Sequence, residues 1–381
     1  MAELKIGVIG GGQLARMMVA PALQLGFDLR VLSETDDSPA IIAATLVGDY
    51  RNLETVRNFA DSVSVVTFDH EHVPIPILET LEASGVSVQP PSKALRFAQN
   101  KLEMRRQLES LKLPMPAWRS ATDASEVDDF VAAQGGVAIA KTPIGGYDGR
   151  GVRVIRSAAD VADWLEADSL SKNGGAILLE QKVEFVRELA QLSARSTVGE
   201  FACWPLVQTT QRDGICFEVL APAPNMREGQ QAQAQAIARA VAEGLGVTGV
   251  LAVELFETAD GQLLINELAM RPHNSGHFSI EGSATSQFEQ HLRAISGLPL
   301  GPTNSLRPHA VMVNLLGVND STNPLNNYSA AMSEYPQANL HSYHKAPRAG
   351  RKLGHVTAIG DDLESTRNQA QGAASVLLPN N

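Results

Sequence analysis

Apolar positions along this chain first recur with the rhythm of alternating strands and helices. Residues 5–9, 28–32 and 63–68 are short apolar runs bounded by glycine or polar residues, with a shorter one at 86–88. Each reads as a strand. Between them, 13–25, 53–60 and 77–84 are predicted helices. Strict alternation up to about residue 90 predicts a parallel α/β sheet. Pro90-Pro91 punctuates, Ser92 is expected to cap a helix running to about residue 110, and Pro114 and Pro116 end that segment.

From about residue 117 the pattern changes. Strands at 137–141 and 151–155 flank a glycine loop, and a helix at 159–167 precedes a strand at 177–183. The runs 189–196 and 201–206 read as an antiparallel pair, and 226–245 as a long Ala/Gln-rich helix. A hairpin at 250–256 and 263–268 and a helix at 285–296 follow. Strands and helices out of strict alternation predict an α+β unit. After Pro299 a Gly, Pro, Asn and Ser stretch reads as a linker to a small C-terminal unit. The expected division is therefore 1–95, 96–304 and 305–381, with the glycine hairpin 137–155 in a smaller lobe of the middle unit.

The length of 381 residues supports this division, being too much for one ordinary core. A net charge of −11 argues against nucleic acid as the main partner, so an anionic ligand must be held by local clusters. Two cysteines without metal spacing predict a reducing compartment. No apolar run reaches the ~18 residues of a membrane span, and the first strand is too short for a signal peptide, so a cytoplasmic protein is expected.

The hairpin carries the first candidate chemistry. With Asp260-Gly261 as a two-residue loop, Glu254 falls directly opposite Glu267. Ala252, Phe256 and Ile265 would share their face, and Val253, Leu255 and Leu264 the other. Opposed like charges about 5 Å apart are destabilising, and a hairpin buried on both faces cannot leave two carboxylates ionised and unpaired. One is protonated or a cation lies between them, and an all-oxygen pair suits Mg²⁺. A three-residue loop would stagger the pair. Arg271, His273, Asn274 and Ser275 form a polar cluster just downstream.

Other motifs add to this. Gly10-Gly11-Gly12-Gln13-Leu14-Ala15 lies between a strand and a helix, with Glu34 beyond it. It fits a phosphate-binding turn, of which a dinucleotide fingerprint is one form. Lys141 precedes Gly145-Gly146-Tyr147-Asp148-Gly149-Arg150-Gly151, a loop whose amides can fold over phosphates. The strand ending Glu180-Gln181-Lys182-Val183 can meet an adenine edge, with Glu188 placed for ribose hydroxyls; a surface-charged strand end is the alternative. Glu71 follows a strand whose carboxyl end points into the ligand crevice. Lys345, Arg348, Arg351 and Lys352 make a cationic stretch suited to a phosphate monoester.

Together these motifs resemble the ATP-grasp ligases, and within them the N5-carboxyaminoimidazole ribonucleotide synthetases of purine biosynthesis. The resemblance rests on GGGQLARM at 10–17, GGYDGRG at 145–151, RDGI at 212–215, INELAMRPHNSGH at 265–277 and GRKLGH at 350–355. It implies a Rossmann-like pre-ATP-grasp domain, an ATP-grasp domain and a small C-terminal domain. It also implies a carbon–nitrogen ligase that carboxylates 5-aminoimidazole ribonucleotide with ATP and bicarbonate through carboxyphosphate. By the same resemblance, Arg96, Lys141, Gly146 to Val152 (Tyr147, Asp148, Gly149, Arg150 and Gly151 between them), Glu180 to Val183 (with Gln181 and Lys182), Glu188, Gln211, Asn266 and Glu267 surround ATP. Glu254 and Glu267 hold Mg²⁺, with Mn²⁺ as an alternative ion. Arg271, with His273 and Asn274 beside it, stabilises the reacting carboxyphosphate. Gln13, Leu14, Glu71, Tyr147, Arg150, Lys345, Arg351 and Lys352 receive the ribonucleotide. The family suggests a homodimer without nucleic-acid or membrane partners. The chain departs from the family pattern at Asp69, Gln211, His344 and Ala349.

Two other classes compete with this reading. An NAD-linked oxidoreductase rests on Gly10, Gly12, Ala15 and Glu34 alone. A non-catalytic nucleotide-binding module would be favoured by loss of Glu254, Glu267 or Arg271, all of which are present. Within the first class, an ATP-grasp relative using formate or a different amine is the nearest rival.

Overall fold

A computed structural model describes residues 4–146 and 151–379. Among these, five parallel strands form the first sheet: β1 (Lys5–Ile9), β2 (Asp28–Ser33), β3 (Ala44–Val47), β4 (Val65–Phe68) and β5 (Ser87–Val88). Their order is β3-β2-β1-β4-β5, so the chain reverses direction across the sheet between β1 and β4. Such a switch point opens a crevice at the strand carboxyl ends, where residues 10–13 and 69–71 lie. The alternation predicted the sheet, but not β3. That strand is short and a half-exposed edge.

The second sheet holds β6 (Trp118–Ala121), β7 (Ala138–Lys141), β8 (Val152–Ile155) and β9 (Ile177–Gln181) in the order β6-β9-β7-β8. The third is antiparallel and continuous through the rest of the chain. It contains β10 (Phe185–Arg195), β11 (Phe201–Cys203), β12 (Val207–Arg212), β13 (Ile215–Ala221), β14 (Gly249–Thr258) and β15 (Leu263–Ala269). It goes on through β16 (His309–Leu316), β17 (Asn339–Ser342) and β18 (Lys352–Gly360). The last three join through β13–β16, so the segment after 305 extends the same sheet. Strand β12 escaped the sequence reading, because Gln208, Gln211 and Arg212 interrupt its apolar run.

The predicted helix from 92 to 110 is two helices, Ser92–Gln99 and Lys101–Ser110. Asn100 leaves helical geometry (φ −130°, ψ 105°), and its side chain accepts from the N–H groups of Leu102 and Glu103. Asparagine competes well for this capping role, and Glu103 follows at the third helical position. The break turns Lys101 and Arg105 toward the junction of the second and third sheets.

Two buried polar contacts fasten the units. His291 Nε2 lies 2.8 Å from Thr67 Oγ1 of β4, and its Nδ1 accepts from the N–H of Val250 in β14. Burial holds this imidazole neutral, its pKa pushed down to about 3. Glu218 of β13, 1% exposed, accepts from Arg367 (2.9 and 2.7 Å) and Gln371 (2.6 Å) of the C-terminal helix Leu363–Leu377. Glu218→Ala is expected to destabilise the protein by about 2 kcal/mol. A urea midpoint equal to wild type would reject that role.

Candidate active site

A cleft of about 620 Å³ opens between the second and third sheets. One wall comes from the smaller lobe: Lys141, Gly146, Val152, and the β9 end from Glu180 through Val183. The opposite wall comes from the large sheet: Glu188, Gln211, Glu254, Asn266, Glu267 and Lys352. Glu71, Arg271, His273 and Asn274 close the end nearest the first sheet. Phe185 and Phe256, stacked with centroids 4.6 Å apart, add an apolar surface at that cleft.

The hairpin reaches its geometry by a route the pattern did not show. Its loop has three residues, 259–261, with the Thr258 N–H donating to Gln262 O and Gly261 at φ +88°. Alone, that would stagger the carboxylates. A bulge restores them: Val253 pairs with Leu268 and Leu255 with Ile265, so Glu254 faces both Asn266 and Glu267. The changed register places Ile265 with Val253 and Leu255 in the core, and Leu264 across from Phe256. Only one face of the hairpin is therefore wholly core; the other lines the cleft. The predicted electrostatic tension is present. The Glu254 carboxyl is pushed up to about 8, by burial first and then by Glu267 and Glu188. Burial raises Glu188 as well.

That tension has a measurable consequence. Between its ordinary value of 4.5 and about 8, native Glu254 keeps a proton that the unfolded chain has lost. Its contribution is present below 4.5 and is lost as pH rises through 8. Without added metal, wild type should therefore lose about 1–3 kcal/mol relative to Glu254→Gln over this window. Parallel stability–pH curves would contradict the assignment.

The same geometry suits a magnesium ion. The two carboxylates supply only oxygen, and their repulsion is what a cation relieves. No group of three or more His, Cys, Asp or Glu able to hold a metal occurs among the described residues. The remaining ligands would come from phosphate and water, as is common for Mg²⁺.

Beneath the cleft, Lys141 Nζ lies 2.8 Å from Glu180 Oε2 and donates to Asn266 Oδ1 at 3.1 Å. Glu180 is 3% exposed, its carboxylate held within this network, while the strand end from Gln181 to Val183 lines the cleft. Despite the opposing cost of burial, the Arg105 and Lys141 cations hold the Glu180 carboxyl down at about 2. Arg96, expected near ATP, pairs with Glu103 at 2.6 Å outside the cleft. It lies just before the break at Asn100, and Lys101, just after the break, lines the cleft. Lys101 Nζ is 3.4 Å from Gly146 O and 3.9 Å from Glu267 Oε1. The Asn100/Glu103 capping pattern was the available signal for it.

At the end nearest the first sheet, Arg271 Nε donates to Glu71 Oε2 at 3.0 Å, while Glu71 Oε1 accepts the Met270 N–H. His273 Nε2 lies 3.2 Å from Glu254 Oε1. Burial, then Arg271 and Lys352, depresses the His273 pKa to about 3, so the ring is neutral. Gln287 brackets the His273 backbone, accepting its N–H and donating to its carbonyl, both at 2.8 Å. Asn274 Oδ1 is buried without a hydrogen-bond partner.

The glycine turn is not a dinucleotide site. Glu34 Oε2 accepts the Gly11 N–H at 3.0 Å, and Asp69 Oδ1 accepts the Ala15 N–H at 2.8 Å. A Cβ on Gly12 would sit 1.9 Å from Asp69 Oδ2, so a protein carboxylate fills the space beside the helix start. Glu34, the acidic residue of the dinucleotide alternative, is bound to the turn and to His70 at 3.0 Å. Leu14 packs its side chain into the core, leaving only its backbone for a ligand. Lys345 donates to Gln13, which joins the cationic stretch to this turn, and Arg351 donates to Ala346 O. Gln13, Lys345, Arg351 and Gly151 do not line the large cleft; Gly151 closes the glycine hairpin by accepting the Thr142 N–H. The expectations for Tyr147, Asp148, Gly149 and Arg150 lie outside the described residues.

Known proteins share this sequence of domains and this fold. Residues 3–99 match the ribonucleotide synthetase preATP-grasp domain and 106–288 the ATP-grasp domain. Residues 310–369 match the phosphoribosylaminoimidazole carboxylase C-terminal domain. The N5-carboxyaminoimidazole ribonucleotide synthase of Mycobacterium tuberculosis is 46% identical over 98% of this chain and 87% of its own length. An Aspergillus clavatus carboxyaminoimidazole ribonucleotide synthase solved with ATP superposes with a TM-score of 0.88 at 34% identity, covering 98% of both chains. A second Aspergillus clavatus structure, holding ADP and 5-aminoimidazole ribonucleotide, gives 0.88 at 32% identity, again over 98% of both chains. With its domain matches, its fold and its sequence in agreement, the chain belongs to the N5-carboxyaminoimidazole ribonucleotide synthase family.

Proposed function

We propose that this protein carboxylates the exocyclic amine of 5-aminoimidazole ribonucleotide, consuming ATP and bicarbonate and releasing ADP and phosphate. The observation that carries the reading is the meeting of Glu254, Glu267 and Lys141 with Arg271 and Glu71 in one cleft. A bicarbonate oxygen attacks the γ-phosphorus, ADP leaves, and carboxyphosphate forms. The amine then bonds to the carboxyl carbon as the carbon–oxygen bond to phosphate breaks, and the departing phosphate accepts the amine's proton. Phosphoryl transfer is mainly positioning and charge neutralisation. Lys141 and Lys101 supply positive charge on the smaller-lobe side, and Arg271 supplies it at the carboxyphosphate. Neutral His273 and the Asn274 amide oxygen border the reacting carbon. Mg²⁺, held by Glu254 and Glu267, would neutralise the β- and γ-phosphates. Carboxyphosphate hydrolyses readily, so the 145–151 loop is assigned to exclude water.

The ribonucleotide is assigned to the crevice of the first sheet. Glu71 and Gln13 are assigned to its base and ribose, and Lys345, Arg351 and Lys352 to its phosphate. Assembly as a homodimer in the cytoplasm is part of the proposal. No helix among the described residues is long and apolar enough to cross a membrane.

ADP release should require ATP, Mg²⁺ and bicarbonate and rise on adding 5-aminoimidazole ribonucleotide. Release that ignores the ribonucleotide would reject the substrate assignment.

A further inference from the structure

Arg105 lies on the helix Lys101–Ser110 and is fully buried. A buried guanidinium requires several acceptors, and three are present. Nε donates to Glu180 Oε1 at 2.5 Å, Nη1 to Ile265 O at 2.9 Å and Nη2 to Asn266 O at 2.6 Å. Glu180 passes its other oxygen to Lys141 Nζ, and Lys141 returns to the Asn266 side chain. The four residues close a ring: Arg105, Glu180, Lys141, Asn266 and back to Arg105. It joins β7 and β9 of the smaller lobe to β15 of the large sheet, beside Glu267.

We propose that Arg105 is a positioning residue for nucleotide binding, aiming the Lys141 ammonium and the 266–267 backbone at one phosphate site. The inference rests on the assignment of this cleft to ATP. Its physical basis is the fork of the guanidinium. One planar group holds a carboxylate and two backbone carbonyls in fixed relation, which a single ammonium cannot do. With two cations around one carboxylate, the ring carries a surplus positive charge, which a phosphate would neutralise.

Arg105→Lys keeps the charge and loses the fork. KM for ATP should rise about tenfold, with KM for the ribonucleotide within about twofold of wild type. A purely structural role would shrink the active fraction, lowering kcat at unchanged KM for ATP, and that result would overturn the proposal. A double-mutant cycle with Lys141→Met, read as ADP affinity by calorimetry, separates the cases further. If Arg105 acts through Lys141, the two losses will be far from additive; additive losses count against it. Should Arg105→Lys fail to fold, Glu180→Gln cuts the ring at another link without changing volume, and an unchanged KM for ATP there also overturns the proposal. Failure of wild type to bind ADP would instead reject the nucleotide assignment itself.

Discussion

Glu267→Gln is expected to lower turnover by about 10³-fold or more while leaving the protein folded. The substitution keeps the volume of the side chain and removes one charge at the bulge where Glu254 and Glu267 meet. An amide oxygen is a weaker ligand than a carboxylate for a hard divalent ion, so the phosphates would lose their counter-charge. The same change removes a source of strain. Without the Glu267 charge, the Glu254 carboxyl should move back toward its ordinary range, and stability near neutral pH should hold or rise. Phosphate release and thermal unfolding on one preparation test both halves. Retained turnover would refute the metal role, and a collapse in stability would show that the pair supports the fold instead.

Arg271→Lys should reduce kcat/KM by about 10²-fold, with KM for ATP little changed. Arg271 commits Nε to Glu71 and Nη1 to the carbonyl of Pro272. Its remaining donors can meet an anion from a fixed direction. Lysine carries the charge as a point on a flexible stem and cannot hold Glu71 and face the reacting carbon together. Because Glu71 is also bonded to the Met270 N–H, the loss should reach the ribonucleotide side, raising its KM. Steady-state kinetics with each substrate varied in turn decide this. A rise confined to KM for ATP would move Arg271 out of the reacting end.

How far the site could be read in advance differs from residue to residue. Glu254 and Glu267 were legible because a strand–turn–strand pattern with acidic residues at matched positions states a physical conflict locally. The register between them was not. Strand pairing has a period of two, so one extra residue in the loop and one in the bulge each invert the pattern and together cancel. Lys101 lies one residue past a helix break whose capping signal is local but is masked by helix-forming neighbours on both sides. Arg105 reads in sequence as one more surface cation, since its acceptors lie 75 to 161 positions away.

The glycine turn shows the same division. Gly10-Gly11-Gly12 declares that backbone must come close to something at the start of a helix. Whether that something is a phosphate or a carboxylate of the protein depends on what the sheet delivers to the switch point. Here it delivers Glu34 from beyond β2 and Asp69 from beyond β4, and both donors are taken.

The alternation of elements, the glycine loop, the acidic pair and the family motifs all lie in the linear chain, because each depends on residues within a few turns or one hairpin of each other. The filling of the turn, the placement of Lys101 in the cleft and the ring through Arg105 belong to the folded molecule alone. Charges in a low-dielectric interior must find partners, and the chain finds them across sheets that no local pattern connects.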